Sequence, residues 1–292
     1  MALKKQHPII INSKRRLFDL NLKEVWEYRD LIWLMAKRDF TVSYKQTLLG
    51  PLWAVIKPVL SSIIFMLVFG GLAGLASTDI PGDYVLPKPL FYLSGTVLWG
   101  YFSTVFSACS VVFIANRATM SKVYYPRLVA PIAKMVYGLI PFAISFALML
   151  ILEIYYIIAG GTSVAFTPWL LMLVPAILQT GLFALGFGII VSAATTKYRD
   201  LGQLVSFGTQ VLNYASPIAY GLESIMSVIP GLLGIYMLNP LSPIMTTFRY
   251  AMFGFGYFDL GQYLLGWAIT LVVLVIGVAM FGFVEKTFTD TV

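Results

Sequence analysis

Reactive side chains are what this sequence has least of. Its 292 residues include a single cysteine, Cys109, and a single histidine, His7. Zinc and haem sites draw on clustered His, Cys or carboxylate ligands, so two such residues in separate parts of the chain exclude them. One cysteine also excludes a disulfide scaffold, and Cys109 reads as a small apolar residue inside a span. No Gly-Lys pair occurs anywhere, which removes the phosphate loop by which many nucleotide hydrolases grip ATP. Charge is equally scarce: Asp, Glu, Lys and Arg make up 11% of the chain, where a soluble domain carries about 25%. A water-facing surface cannot be built from so few charges. The sequence also shows no Gly-X-Y period, short-period repeat or low-complexity tract.

What is abundant is apolar: 59% of residues, with a mean hydropathy of +0.84. The expected solvent is lipid. About 20 apolar residues carry a helix across the hydrocarbon core, at ~1.5 Å per residue. Five stretches reach that length: Leu52–Ala76, Pro89–Ile114, Leu128–Ala159, Trp169–Ala194 and Tyr263–Phe283. Another, Leu204–Tyr220, is short and has Gln203, Gln210 and Asn213 in or beside it. Amides are costly against lipid tails, so this span is expected to be buried in the bundle, facing other helices or a wet cavity. Between Glu223 and Asp259, two apolar pieces, Ile225–Leu238 and Ile244–Phe255, flank Asn239-Pro240-Leu241-Ser242-Pro243. Neither is long enough to cross, so a re-entrant helical hairpin is expected, with two kinked spans as the alternative.

The basic residues orient these spans. Eighteen of the 20 Lys and Arg fall before or just inside the first span, between the second and third, after the fourth, or after the last. Only Lys88 and Arg249 remain for the other side. Cytoplasmic loops collect Lys and Arg, so six spans with both termini in the cytoplasm are expected. The same spread argues against a nucleic acid, which calls for one basic patch with interleaved aromatics. The N-terminal region is basic and lacks the apolar core of a signal peptide, so retention in the membrane is expected.

Ahead of the first span, Leu22, Val25, Trp26, Ile32, Trp33, Ala36 and Phe40 recur at helical spacing, with Lys23, Glu27, Asp30 and Lys37 opposite. Asn21 and Glu24 form an N-cap pair. Such a helix lies in the membrane interface. Little points to acid–base chemistry. Glu153 alone among the carboxylates is flanked on both sides by apolar sequence; it either serves a function inside the membrane or pairs within the bundle. Asp200 reads first as an N-cap of the short span, with a cytoplasmic coupling contact as the alternative. The 17 Tyr and 21 Phe divide between core, interface belt and a possible sugar path, whose C–H groups slide over aromatic faces.

The stretch Arg38-Asp39-Phe40-Thr41-Val42-Ser43-Tyr44-Lys45-Gln46-Thr47-Leu48-Leu49-Gly50-Pro51-Leu52-Trp53-Ala54-Val55-Ile56-Lys57-Pro58 resembles the approach to the first span in one family. These are the membrane permeases of ABC exporters for bacterial polysaccharides, O-antigen above all, with capsule and teichoic-acid exporters as relatives. Lys197-Tyr198-Arg199-Asp200-Leu201 and Asn239-Pro240-Leu241-Ser242-Pro243 agree in place and order, and the resemblance covers about residues 22–285.

The resemblance implies an all-α polytopic membrane protein of type-2 ABC exporter architecture. Its parts would be a basic segment 1–21, an interfacial amphipathic helix and connection 22–48, and a six-span domain 49–285 with the hairpin at about 224–256, then a cytoplasmic tail 286–292. It implies a homodimer in the bacterial inner membrane, paired with two ATPase subunits that hold ATP and Mg, with no cofactor and no catalytic residue in this chain. The interfacial helix and the loop with Asn116, Arg117, Lys122, Tyr124, Tyr125 and Arg127 would touch those ATPases. The first span and the short span would line a channel at the dimer interface, for which Trp53, Lys57, Phe207, Gln210, Asn213 and Tyr214 are the candidates. The hairpin would gate its outer side, joined at a kink beside Ser216 and Pro217. Arg38 and Lys45, with Lys57, are candidates for guiding the pyrophosphate of a lipid-linked polysaccharide; Lys57 alternatively snorkels to the interface. Other readings are a permease for another glycan or a lipid, an ion-coupled secondary transporter, and a membrane glycosyltransferase. A secondary transporter calls for several ionisable or unwound-helix sites at mid-membrane. A transferase calls for acids or bases in the outer loops, which offer only Asp79, Asp83, Glu223 and Asp259.

Overall fold

The computed structural model describes residues 22–72, 86–116, 125–126, 128–160, 168–197, 201–222, 225, 231, 233–254 and 256–290. Among these the chain is helical, with no strand. Helices α1 (Leu22–Glu27) and α2 (Arg29–Tyr44) precede α3 (Trp53–Phe65), which runs on as a π-helical stretch, Met66–Leu72. Then come α4 (Lys88–Ser110), the short α5 (Val112–Ala115), α6 (Val129–Ile158), α7 (Leu173–Lys197) and α8 (Leu201–Tyr214). The last three are α9 (Leu233–Met237), α10 (Leu241–Phe253) and α11 (Leu260–Asp290). The caps read at Asn21 and Asp200, and residues 73–76 of the first span, lie outside the described residues.

Four stretches are long and apolar enough to cross a membrane: Gly50–Gly71, Val129–Ile158, Pro168–Thr195 and Leu260–Gly282. Helix α4 is as long as a span, 23 residues, but more polar, and its place explains why. It packs on α3, α6, α7, α8 and α10, with every residue from Leu90 to Leu98 buried. Its polar side chains therefore meet protein rather than lipid. Two of its serines bond back within the helix: Ser94 donates to the Phe91 carbonyl at 2.7 Å and Ser110 to that of Ser107 at 2.8 Å.

Aromatic stacking joins α4 to α7, with Phe106 over Phe187 at 4.9 Å and Phe102 over Phe183 at 5.6 Å between centroids. On its other flank α7 meets α11 backbone to backbone. A Cβ added to Gly277 would stand 2.5 Å from the Gly186 carbonyl oxygen, and one on Gly186 would stand 2.8 Å from Leu274 Cα. Small residues are what allow membrane helices to approach this closely.

Proline sets the first span. Pro58 lies inside α3 and has no N–H, so the Ala54 carbonyl loses its helical partner. Lipid offers no water to replace that donor. The Ser145 hydroxyl of α6 supplies it at 2.6 Å, and the Thr96 hydroxyl of α4 donates to the Pro58 carbonyl at 3.2 Å. The irregular turn is thereby tied to both neighbouring helices. Ser145→Ala is expected to lower stability by about 1–3 kcal/mol, the range for stranding a buried acceptor. The measurement is the melting temperature of detergent-purified protein. In a Pro58→Ala background, where the helix regains its own donor, the same substitution is expected to cost less.

Two segments lie at the edge of the bundle. The apolar stripe of α1 and α2 is wider than the strip that α6 covers: Val25, Met35 and Ala36 are buried, while Trp26 and Trp33 stay exposed. Exposed tryptophans of this kind suit a headgroup layer. The short span is helical over Leu201–Tyr214 rather than Leu204–Tyr220, and the bundle does not enclose it. It packs on α4 and α7 only along one side, leaving Gln203, Ser206, Phe207, Gln210, Val211 and Tyr214 as a continuous exposed face.

Candidate transport path

Two exposed helix faces carry most of the path candidates. On α3 and its π-helical continuation, Trp53, Lys57, Leu60, Ile64 and Leu67 recur at intervals of three and four residues and are all exposed. On α8, Phe207 and Tyr214 are 64% and 63% exposed, with Gln210 exposed between them. Asn213 is the exception, half-buried on the flank of that face. An amide set between two rings offers both donor and acceptor beside apolar platforms. The two segments approach beyond these faces, where the rings of Phe69 and Tyr220 lie 6.5 Å apart.

The cationic candidates are placed differently. Arg38 hydrogen-bonds Asp39 Oδ1 through Nε at 3.1 Å and through a terminal nitrogen at 2.9 Å. Asp39 Oδ2 accepts from Lys134 of α6 at 2.6 Å, with both side chains of that pair mostly buried. One carboxylate thus serves two cations and docks α2 on α6. The Tyr137 hydroxyl adds a hydrogen bond to Ser43 Oγ at 3.1 Å. Lys45, just past α2, is exposed. Of the coupling candidates, Asn116 and Tyr125 are buried at 3% and 5% exposure. The Asn116 amide donates to the Val112 carbonyl at 3.0 Å and closes α5. Arg117, Lys122, Tyr124 and Arg127 lie outside the described residues.

The residue that sequence reasoning undervalued is Arg249. It entered the charge count only as one of two cations left on the minority side. In the fold it is 7% exposed, on α10, and reaches into the turn that follows α8. There the chain leaves the helix at Ser216 and Pro217, and its carbonyls lose their regular partners. The Arg249 guanidinium donates to Pro217 O and to Ile218 O, each at 2.7 Å, and to Ser94 Oγ at 3.2 Å. It also lies 3.9 Å above the Phe91 ring, a cation–π contact.

The rest of the turn is held the same way. The Tyr220 hydroxyl donates to Tyr214 O at 2.6 Å, and the Tyr236 hydroxyl to that of Tyr220 at 2.9 Å. The Asn239 amide donates to Ala215 O at 3.1 Å while its Oδ1 accepts from Leu241 N at 3.1 Å. Asn239 therefore links the turn to the first residue of α10. Irregular backbone among membrane helices persists only when protein satisfies it. Gly95 leaves room for this junction, since a Cβ there would stand 2.5 Å from Ile218 O.

Apolar helices long enough to span, packed about a buried central helix and leaving an amide-bearing face uncovered, define a multi-pass membrane protein. The family model described as ABC-2 type transporter matches residues 30–253, and the chain belongs to that family. The chain is also similar to the O-antigen export system permease protein RfbA of Myxococcus xanthus, 27% identical over 229 residues, which is 78% of this chain and 82% of that protein. Two proteins of the same name from Klebsiella pneumoniae are similar as well. One is 27% identical over 75% of this chain and 79% of its own length, the other 24% identical over 89% and 94%.

Proposed function

We propose that this chain is the transmembrane permease subunit of an ATP-driven exporter that moves O-antigen, as a lipid-linked polysaccharide, across the bacterial cytoplasmic membrane. The observation that carries this is the extent of the similarity: three O-antigen export permeases align over 75–89% of the chain. Two copies pair through the exposed faces of α3 and α8, and Trp53, Lys57, Phe207, Gln210, Asn213 and Tyr214 border the path between them. Each copy has six spans with both termini in the cytoplasm, in keeping with the distribution of Lys and Arg. Helices α1 and α2 lie in the cytoplasmic interface, where exposed Trp26 and Trp33 meet headgroups. Arg38 and Lys45 stand at that level, placed to meet the phosphates of the lipid carrier. Helices α9 and α10 form a re-entrant hairpin, and the Arg249 junction joins this outer gate to α8.

The chain has no Gly-Lys pair, and the proposal puts ATP and Mg in two separate ATPase subunits that meet α2 and the loop 116–127. The test is to express the tagged chain with its neighbouring genes and to delete it in its host. An ATPase is expected to co-purify, and the deletion strain is expected to accumulate lipid-linked O-antigen on the cytoplasmic side. Transport by the isolated chain on an ion gradient, without an ATPase, would refute the reading.

A further inference from the structure

Glu153 is the carboxylate that the sequence surrounds with apolar residues, and the fold leaves it 1% exposed. It stands on α6, an apolar helix of 30 residues that is long enough to cross a membrane. From Gly138 onward the buried residues of α6 form one stripe, Gly138, Phe142, Ser145, Met149 and Glu153, at intervals of three and four. The stripe faces α4 and α3. A Cβ on Gly138 would stand 2.5 Å from Val105 Cγ2, the Phe142 ring lies 5.2 Å from that of Tyr101, and Ser145 donates to the Ala54 carbonyl. Glu153 carries this seam one turn further. Its neighbours Ile151, Ile154 and Ile158 are exposed, as on a surface that meets lipid.

Among the described residues, neither carboxyl oxygen of Glu153 has a hydrogen-bond partner. Pairing within the bundle, which the sequence allowed, is therefore not what holds it there. The ionisable groups of the helices around α6 are placed or engaged elsewhere. Helix α3 offers only Lys57, which is exposed, and α7 only Lys197, its last residue. On α4, Lys88 is exposed, Tyr92 Oη lies against Gly70, Tyr101 Oη lies against Gly181, and the Cys109 thiol donates to Pro131 O. Helix α2 meets α6 through Asp39 and Lys134, about 28 Å back along the helix at ~1.5 Å per residue. On α10, Arg249 donates to the turn carbonyls and Tyr250 stacks on Phe258. On α6 itself, Tyr155 and Tyr156 meet edge to face.

An ionised carboxylate buried without a partner is costly enough that such a group gives up its charge instead. A metal ion such as calcium would need several oxygen ligands, and the described residues hold no cluster of three His, Cys, Asp or Glu. The cation that a single carboxylate can take alone is a proton.

We propose that Glu153 is a proton-binding site inside the membrane: its carboxyl is protonated while α6 packs on α3 and α4, and loss of the proton loosens that seam. The step is a proton transfer, in which the carboxylic O–H bond breaks and water takes the proton. Ser145, about two turns back on the same stripe, holds the Ala54 carbonyl that Pro58 leaves open, so a loosened seam reaches the first span. The inference rests on the packing of this chain and not on the export of O-antigen proposed above.

The test uses the full-length chain purified in mild detergent, as wild type and as Glu153→Gln, a neutral side chain of the same shape. Infrared spectra of wild type at neutral pH are expected to show the C=O band of a protonated carboxyl. Isotopic labelling of the glutamate carboxyl carbons is expected to shift that band, which assigns it without any variant, and Glu153→Gln is expected to lack it. Melting temperature over a pH series reads the seam. A solvated glutamate ionises at about pH 4.3, so above that pH the unfolded chain has lost a proton that the folded chain still holds. Stability then falls as pH rises, by up to about tenfold in the folding constant per pH unit for one proton. Wild type is accordingly expected to lie closest to Glu153→Gln at acidic pH and to drop progressively below it. The proposal is overturned if wild type lacks the band at neutral pH, or if the two proteins keep a constant separation across the series. It is also overturned if replacing sodium with choline at fixed pH removes the stability of wild type, which would make the occupant a metal ion.

Discussion

Arg249→Met is expected to destabilise the protein by about 2–6 kcal/mol, since two buried carbonyl acceptors are stranded at about 1–3 kcal/mol each. The substitution keeps an unbranched apolar stem and deletes every donor. Pro217 O and Ile218 O each lose a 2.7 Å hydrogen bond, and a stranded buried acceptor costs about 1–3 kcal/mol. The cation–π contact with Phe91 is lost in the same step. Lysine is expected to rescue only in part. Its ammonium carries the charge but lacks the planar fork that spans two carbonyls while lying on a ring. The consequence is local before it is global, because the freed carbonyls belong to the turn that joins α8 to the segment before α10. Melting temperature in detergent reads the stability, and surface O-antigen in a complemented deletion strain reads transport. Export that fails in Arg249→Lys at near-normal melting temperature would show that the junction matters for gating beyond its contribution to folding. A melting temperature unchanged in Arg249→Met would show that the turn has other donors.

Four of the spans were legible because lipid imposes a length, and apolar runs of that length are hard to mistake. Helices α6, α7 and α11 begin within about five residues of the expected positions. What apolar runs cannot say is which helix faces protein. The central α4 and the outer α11 were both read as spans, although one is buried for most of its length and the other shows much of its surface. Local rules reached half of some pairs. Pro58 announces an orphaned carbonyl at Ala54 from sequence alone, but the donor, Ser145, is 91 positions away. Arg249 was equally opaque, since its partners are backbone carbonyls of a distant turn and no side-chain pattern marks them. The amides of α8 signalled a helix unsuited to lipid. One chain leaves their face uncovered, and that is where the pairing proposal begins. Asn116 and Tyr125 came from a basic loop that suggested contact with a partner, and the fold buries both.

Gly277→Ala and Gly100→Ala are expected to move stability in opposite directions, though each adds one methyl group to a glycine within a helix. Helix propensity favours both by about 1 kcal/mol. At Gly100, on α4, the added Cβ meets no atom within 4 Å, so propensity is the main effect and the melting temperature is expected to rise. At Gly277 the Cβ would stand 2.5 Å from the Gly186 carbonyl oxygen, with the Gly186 carbonyl carbon at 3.2 Å and its Cα at 3.3 Å. All three are backbone atoms, which cannot rotate out of the way as a side chain can. Relief requires α11 to move off α7, and overpacking of this kind costs about 1–3 kcal/mol. Steric strain therefore wins, and Gly277→Leu is expected to fall further still. Because α7 also carries the stacked phenylalanines facing α4, a shift of α11 reaches that contact. Gly277→Leu is accordingly expected to lose export and monodispersity together. If the two alanine variants instead stabilise alike, α7 and α11 are not in backbone contact, and the frame assigned here to α8 would have to be built another way.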